Sequence, residues 1–279
     1  MTDDPFSSFQ FDGVLGLGLP SLSQTSEFNF LEAASVGGSW SSLVPDAERM
    51  FGVFLAKSAQ EDSEITFGGW ENDHILNGHQ LAFCDVQDSE EGYWQLEVYG
   101  IKADGQKLDF CDDGCRAVVD TGSSLVGVPS ALGDQLVDLL RFPASPEGGC
   151  YGPGPRLEID LGNFTVILDP ADIARLEFIE GQAETNETQA ALPEGSEVGN
   201  TSSDNMLLSA GASQSSAEPD AEAPSCVPML MHIDLPEPLH PKTLILGEPV
   251  LQRYYTVFDA RAPKVGFAAA RHALEAEVP

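Results

Sequence analysis

The sequence is poor in basic residues: 13 Lys and Arg accompany 45 Asp and Glu, which gives a formal net charge of −32 over 279 residues. Clustered Lys and Arg bind nucleic-acid phosphates and anionic membrane surfaces, so this balance argues against both kinds of partner. No run of about eighteen apolar residues exists, so no transmembrane helix is predicted. Residues 1–4 are acidic and lack the basic region of a signal peptide. With 42% hydrophobic residues, we expect one or two domains with a sizeable core.

Cysteine is also scarce, with five residues in the chain. The pair Cys111 and Cys115 has no second Cys or His pair at zinc spacing, so we predict no metal site, and no cofactor is expected. Disulfides would indicate maturation in an oxidising compartment, whereas a reduced set of thiols in the cytosol is the alternative.

Residues 181–225 contain no Lys, Arg, aromatic residue or Cys, and they are rich in Ala, Ser, Glu, Gly and Pro. Such a composition cannot bury enough apolar surface to offset the entropy lost on ordering, so we predict a disordered insertion. It contains N-glycosylation sequons at Asn186 and Asn200, and a third sequon lies at Asn163. Sequons often arise by chance, so they support secretion only mildly.

The most informative stretch begins with the apolar run Ala117–Val119, which predicts a buried strand ending at Asp120. Gly122 allows a sharp turn directly after this carboxylate. The hydroxyls of Thr121, Ser123 and Ser124 could donate hydrogen bonds that hold the carboxylate in place. Asp-Thr-Gly is also a good turn sequence, and the tripeptide alone is weak evidence for a catalytic site.

Further elements follow from periodicity and turn residues. The apolar spacing in residues 131–142 predicts an amphipathic helix, and residues 31–43 fit either a helix or a loop. Asp104-Gly105 and Gly162-Asn163 predict the turns of two hairpins. His74 and His79 are expected in a solvated loop. Strands are predicted over residues 11–18, 49–57, 64–68, 80–85, 93–101, 226–233, 243–247, 254–259 and 264–268.

Four parts of the chain carry a family resemblance. They are FDGVLGLGLPSLS at 11–23, ITFGGW at 65–70 with GYWQ at 92–95, AVVDTGSSL at 117–125, and LILG at 244–247 with RYYTVFDARAPKVGF at 253–267. In this order they resemble the pepsin-like aspartic proteases, the pepsin and cathepsin D family.

The resemblance implies a mostly β, pepsin-like acid protease fold, with a complete C-terminal lobe and the end of the N-terminal lobe. Residues 1–90 would be the remnant of the N-terminal lobe with the inter-lobe strands, and residues 91–279 the C-terminal lobe. The strand at 11–18 would lack its usual partner, so we expect it to be poorly anchored. After the strand at 243–247, relatives usually continue Asp-Val where this chain has Glu248-Pro249.

The implied activity is peptide-bond hydrolysis by an aspartic endopeptidase, in which two aspartates activate a water molecule. Asp120 would be one of them, supported by Thr121, Gly122, Ser123 and Ser124. The first Asp-Thr-Gly motif and the flap tyrosine of the family are absent from the sequence. Three readings stay open: an endopeptidase whose first part is missing from this sequence, a homodimer with one motif per chain, and a catalytically inactive binding or inhibitor protein. As written, the chain is expected to be inactive.

The family also implies a disulfide within Cys111–Cys115 and another between Cys150 and Cys226, which leaves Cys84 unpaired. It implies a peptide or protein substrate, a monomer, and a secreted or vacuolar/lysosomal location, although no signal peptide is visible.

Overall fold

The computed structural model describes residues 13–35, 48–150, 152–177 and 224–273, and the prediction of a mostly β chain is confirmed there. The strands are β1 Met50–Phe54, β2 Glu64–Phe67, β3 Ala82–Asp85, β4 Gln95–Val98, β5 Gly100–Ala103, β6 Gln106–Leu108, β7 Cys115–Val119, β8 Val126–Pro129, β9 Phe142–Pro143, β10 Leu157–Asp160, β11 Thr165–Leu168, β12 Ala174–Leu176, β13 Ser225–Pro228, β14 Leu230–Ile233, β15 Thr243–Leu246, β16 Tyr254–Asp259 and β17 Lys264–Ala269. The α-helices are α1 Phe30–Ala34, α2 Ser130–Leu140, α3 Pro170–Ile173 and α4 Glu248–Arg253. Within these ranges, no helix is long and apolar enough to cross a bilayer.

The described strands form four sheets. Sheet 1 has the strand order β2-β1-β16-β17-β3, and sheet 2 has the order β14-β8-β15-β7-β4. Sheet 3 has the order β11-β10-β5-β6, and sheet 4 has the order β12-β13-β9. Neighbours in sheet 1 are all antiparallel. In sheet 2, β15 lies parallel to β7 and antiparallel to β8, so β15 is inserted between two strands that follow each other in the sequence.

One large cluster of buried apolar side chains joins sheets 1, 2 and 3 to helix α2. The helix predicted from apolar spacing is confirmed, and it turns Leu132, Leu136 and Leu140 into this core. The rings of Phe51 in β1 and Phe258 in β16 stack with centroids 4.5 Å apart. Trp94 meets both rings edge-on, so the residue before β4 packs sheet 2 against sheet 1.

The hairpins predicted from turn residues are present in the structure. Asp104 and Gly105 both have positive φ angles, 49° and 76°, and they connect β5 to β6. Two successive residues with positive φ suit a tight two-residue hairpin because they match the twist of the strands. The hairpins β10–β11 and β16–β17 and the antiparallel pair β1–β2 are likewise confirmed.

The segment that enters the fold differs from the expectation. Residues 13–19 form no strand, so the strand predicted over 11–18 is wrong for its described part. Val14 and Leu15 are 76% and 57% exposed, and the first buried side chain is Leu19. Three hydrogen bonds hold the segment: the Leu19 N–H donates to the Gly92 carbonyl at 2.9 Å, the Trp94 indole N–H donates to the Leu17 carbonyl at 2.9 Å, and the Asn29 side-chain amide donates to the Gly18 carbonyl at 3.0 Å. Within the described part of the chain no strand lies beside it to satisfy a ladder of hydrogen bonds.

The single strand predicted over 226–233 is also wrong. It is two strands, β13 in sheet 4 and β14 in sheet 2, separated at Met229. The predicted insertion ends too late, because Ser225 already belongs to β13 and pairs with Pro143. The rest of the insertion up to residue 223, with Asn186 and Asn200, lies outside the described residues.

The histidine prediction holds for one residue of two. His79 is exposed. His74 is instead half-buried, with its ring stacked on Phe54 at a centroid distance of 4.3 Å and its Nε2 3.4 Å from Glu64 Oε2. The polar residues around His74 predicted a solvated loop, but Phe54 of β1 packs against the His74 ring and covers part of it.

Both predicted disulfides are present, Cys111–Cys115 and Cys150–Cys226. Cys84 is a free, buried cysteine in β3. Burial raises the pKa of its thiol to about 11. The thiol at this position is therefore almost entirely protonated at neutral pH.

We expect the native protein to react with iodoacetamide at pH 8 about a hundred times more slowly than the unfolded protein does, because the thiolate is the nucleophile. Mass spectrometry of alkylated peptides checks this, with urea-unfolded protein as the control. Equal rates for folded and unfolded protein would contradict the burial of Cys84.

Candidate active site

Strand β7 delivers Asp120 to the end of sheet 2. This strand is paired on both sides, with β4 antiparallel and with β15 parallel. The backbone N–H of Asp120 continues the ladder by donating to the Leu246 carbonyl at 3.1 Å. A carboxylate in this position is attached to a rigid element, which a catalytic group requires.

The Asp120 carboxylate is held by the loop that follows it. Its Oδ1 accepts the Gly122 N–H at 2.9 Å, and its Oδ2 accepts the Ser123 hydroxyl at 2.6 Å. Hydrogen bonds to both oxygens fix the plane of the carboxylate. The structure thus brings together Asp120, Gly122 and Ser123. Among the described contacts, no side-chain hydrogen bond joins Thr121 or Ser124 to this carboxylate, and both residues are exposed.

Helix α4 also contacts the loop that follows Asp120. The Glu248 N–H donates to the Ser123 carbonyl at 2.8 Å. Gly247 lies so close to the loop that an added Cβ would be 2.3 Å from the carbonyl oxygens of both Ser123 and Leu125. Gly247 thus allows the backbone before α4 to approach the Asp120 loop closely.

The unusual dipeptide Glu248-Pro249 fits this place. Proline stands in the first turn of α4, where no backbone N–H is needed for the helix. The Glu248 carboxylate accepts the Gln252 side-chain amide at 2.8 Å, four residues along the helix. The departure from the usual sequence is thus accommodated without loss of the short helix.

A cavity of about 510 Å³ lies beside Asp120. Its walls are mostly apolar and come from distant parts of the chain, among them Leu17, Phe51, Trp94, Val119, Leu239 and Phe258. The loop 235–239 closes one side and contributes Glu237, which is the only carboxylate besides Asp120 in the described lining. The sequence identified Asp120 but gave no periodic pattern that would assign Glu237 or these wall residues to one site.

The described residues contain no group of three or more His, Cys, Asp or Glu side chains arranged to hold a metal ion. The site offers a fixed carboxylate next to an apolar cavity.

A family model described as eukaryotic aspartyl protease matches residues 1–270. The chain is 30% identical to Cathepsin E of Mus musculus over 277 residues, which cover 95% of this chain and 55% of that protein. It is 30% identical to Cathepsin E of Rattus norvegicus over 270 residues, covering 95% and 55% of the two chains. It is 25% identical to Plasmepsin VI of Plasmodium berghei over 269 residues, covering 96% and 52%. The chain thus spans about half the length of the curated relatives it matches.

Proposed function

Because the chain belongs to the eukaryotic aspartyl protease family, we propose that it supplies Asp120 as one of the two catalytic carboxylates of an aspartic endopeptidase. The observation that carries this proposal is the Asp120 carboxylate, fixed through both oxygens by the following loop at the margin of an apolar cavity. An extended peptide in that cavity would present a carbonyl group to the carboxylate.

The chemistry needs a pair of carboxylates that share one proton, because two like charges so close cannot both ionise readily. One of them takes a proton from a bound water, and the other protonates the peptide carbonyl as the water attacks. Asp120 can fill either role. The Gly122 N–H and the Ser123 hydroxyl hold its two oxygens in place for proton transfer.

The source of the second catalytic carboxylate has to be assigned separately. Asp120-Thr121-Gly122 is the only such tripeptide in the sequence. Glu237 lines the cavity but stands on an exposed loop without a comparable motif. We propose that the second catalytic aspartate comes from polypeptide not included in residues 1–279, and that this chain alone does not cleave peptides.

A fusion tests this proposal. The first half of Cathepsin E of Mus musculus is placed before Gly13, and cleavage of a fluorogenic peptide library is followed at acid pH. We expect no cleavage by the chain alone and measurable cleavage by the fusion. In the fusion, Asp120→Asn should lower kcat/KM by about a hundred-fold or more, because it removes a proton-transfer group. Asp134→Asn, the same substitution at an exposed residue of α2, is the matched control and should change little.

Three outcomes would count against the proposal. Full activity of the Asp120→Asn fusion would remove Asp120 from the mechanism. Peptide binding by a folded fusion without cleavage would favour the alternative of an inactive binding or inhibitor protein. Cleavage by the unfused chain, abolished by Asp120→Asn, would favour two copies that each give one aspartate. Near-ultraviolet circular dichroism of every variant establishes that it is folded.

We also propose that residues 1–90 are the end of the N-terminal lobe with the inter-lobe strands, and that residues 91–279 are the C-terminal lobe. In support, β1, β2 and β3 share sheet 1 with the closing strands β16 and β17, whereas sheet 2 with Asp120 is built only from later residues. The two disulfides support maturation in a secreted or vacuolar/lysosomal compartment. Asn163 is exposed and remains a candidate for glycosylation, and a monomer is proposed.

A further inference from the structure

Glu61 and His272 form a buried contact that the catalytic proposal does not use, and we call this pair the clasp. Glu61 lies in the loop after β1, and His272 lies just beyond the last strand, β17. The His272 side chain is 3% exposed and that of Glu61 is 10% exposed. We propose that the clasp is a proton-dependent positioning unit for Asp120, acting through helix α4. Its consequence for catalysis rests on the function proposed above, but the coupling itself does not.

Both ring nitrogens of His272 face oxygen atoms. Its Nδ1 is 2.6 Å from Glu61 Oε1, and its Nε2 is 2.6 Å from the Gln252 carbonyl oxygen. A carbonyl oxygen can only accept, so Nε2 carries a hydrogen. A neutral imidazole has no second hydrogen, which would leave the Nδ1 lone pair facing a carboxylate oxygen. The geometry therefore requires one more proton between Nδ1 and Glu61.

The hydrogen bonds to Glu61 decide whether that proton lies on the carboxylate or on the ring. Glu61 Oε1 also accepts the Lys57 N–H at 2.8 Å, and Oε2 accepts the Ala273 N–H at 3.0 Å. Burial alone would raise the pKa of Glu61, but the hydrogen bonds from Ala273, Lys57 and His272 together lower it below its ordinary value. Glu61 is thus a carboxylate, and the shared proton lies on Nδ1, so the ring donates from both nitrogens.

Four hydrogen bonds connect the clasp to Asp120, and they are linked to one another through the residues Gln252, Glu248 and Ser123. His272 donates to the Gln252 carbonyl at the end of α4, and the Gln252 side chain donates to the Glu248 carboxylate at its beginning. The Glu248 N–H donates to the Ser123 carbonyl, and the Ser123 hydroxyl donates to Asp120. Because α4 is only six residues long, a shift at its end moves its beginning.

The neighbouring charged groups have other partners or face solvent. His74 lies next to Glu64, Arg271 lies 3.8 Å from Asp73, and Asp62 is exposed. At the α4 side, Arg253 pairs with Asp169 and Asp172, and the Lys57 amine lies 3.8 Å from Asp172. Glu61 is therefore the carboxylate at hydrogen-bond distance from the His272 ring.

The sign of the pH dependence follows from the two partners. Because the folded protein lowers the pKa of Glu61, its contribution is present above the ordinary value of 4.5 and is lost only as pH falls through the lower folded value. At higher pH this contact is lost, because without the shared proton the Nδ1 lone pair would face a carboxylate oxygen. The clasp thus holds the Asp120 loop in weakly acidic solution and releases it in alkaline solution.

Amide hydrogen exchange by NMR tests the coupling in the unfused chain, with rates corrected for intrinsic exchange at each pH. At pH 5.5, His272→Gln and Glu61→Gln should each raise the exchange of the Glu248 and Gly122 amides about ten-fold relative to the wild type. At pH 8.5 the wild type should approach the variants, which should not change further. The ring ¹⁵N resonances of His272 should show two protonated nitrogens at pH 5.5.

Three control variants separate coupling from general destabilisation. His79→Gln changes an exposed histidine, and Glu147→Gln changes an exposed glutamate in another loop. Ile159→Val weakens the core at β10 and should raise exchange broadly, without selecting the Asp120 loop. The inference is overturned if only amides near Glu61 and His272 respond, or if the His272 ring is neutral at pH 5.5. No substrate is used, so this result is independent of whether the fusion cleaves peptides.

Discussion

Gly247→Ala is expected to lower the free energy of unfolding by about 3 kcal/mol or more, and to displace the loop that carries Asp120. The added Cβ would lie 2.3 Å from two backbone carbonyl oxygens, of Ser123 and Leu125, a distance that real Cβ contacts essentially never show. The backbone at Gly247 has φ −95° and ψ −153°, which alanine adopts freely, so the cost comes from the contact and not from the dihedral angles. Backbone atoms cannot rotate away, so the loop or α4 has to move.

Urea unfolding followed by circular dichroism measures the change. Gly69→Ala is the matched control, because nothing lies within 4 Å of a Cβ added there. We expect the control to stay within about 0.5 kcal/mol of the wild type, as surface substitutions usually do. If both variants unfold at the same urea concentration, the close packing of Gly247 on the Asp120 loop is refuted. In the fusion described above, Gly247→Ala should also reduce peptide cleavage.

Removal of the Cys150–Cys226 disulfide by a double substitution to alanine is expected to cost about 4–5 kcal/mol of unfolding free energy. The bridge joins residues separated by 76 positions, so it removes a large loop-closure entropy from the unfolded chain. Removal of Cys111–Cys115, with a separation of 4, should cost only about 2 kcal/mol in the same treatment. Each double variant leaves the other bridge as an internal control.

The comparison of the two double variants decides the point. Thermal and urea unfolding should rank the wild type first, the Cys111→Ala/Cys115→Ala variant second and the Cys150→Ala/Cys226→Ala variant last. Equal losses would show that packing around the half-cystines, and not loop length, sets their contribution. If both bridges of the wild type are reduced under conditions in which the protein stays folded, its unfolding free energy should fall by the sum of the two losses, provided that the bridges act independently.

Sequence reasoning succeeded where the determinants are local. Asp104-Gly105 defines its hairpin because two adjacent residues must take positive φ, and α2 follows from the spacing of its leucines. It failed over 226–233 because an extended run looks the same whether it pairs with one sheet or crosses between two. Only the partners of β13 and β14, which are β9, β12 and β8, reveal the break.

In the candidate site, too, the local residues were predictable from the sequence and the long-range contacts were not. Asp120 and its supporting Gly122 and Ser123 are adjacent in sequence, so a short motif was sufficient to find them. The cavity was not predictable, because residues such as Leu17 and Phe258 meet only after sheets 1 and 2 have packed. The clasp was also missed, since nothing in the residues around Glu61 or His272 indicates that they touch.

Sheet 1 has a consequence for how the protein is made. Its central strand, β16, pairs with β1 from Met50 opposite Asp259 to Val53 opposite Thr256, so β1 waits for a partner made about 200 residues later. At a synthesis rate of about 5–20 residues per second, that wait is roughly 10–40 seconds. During this time Phe51 on one face of β1 and Phe54 on the other lack their later packing partners, and β2 pairs with only one edge of the strand. We therefore expect the nascent chain to be prone to aggregation until the β16–β17 hairpin emerges from the ribosome.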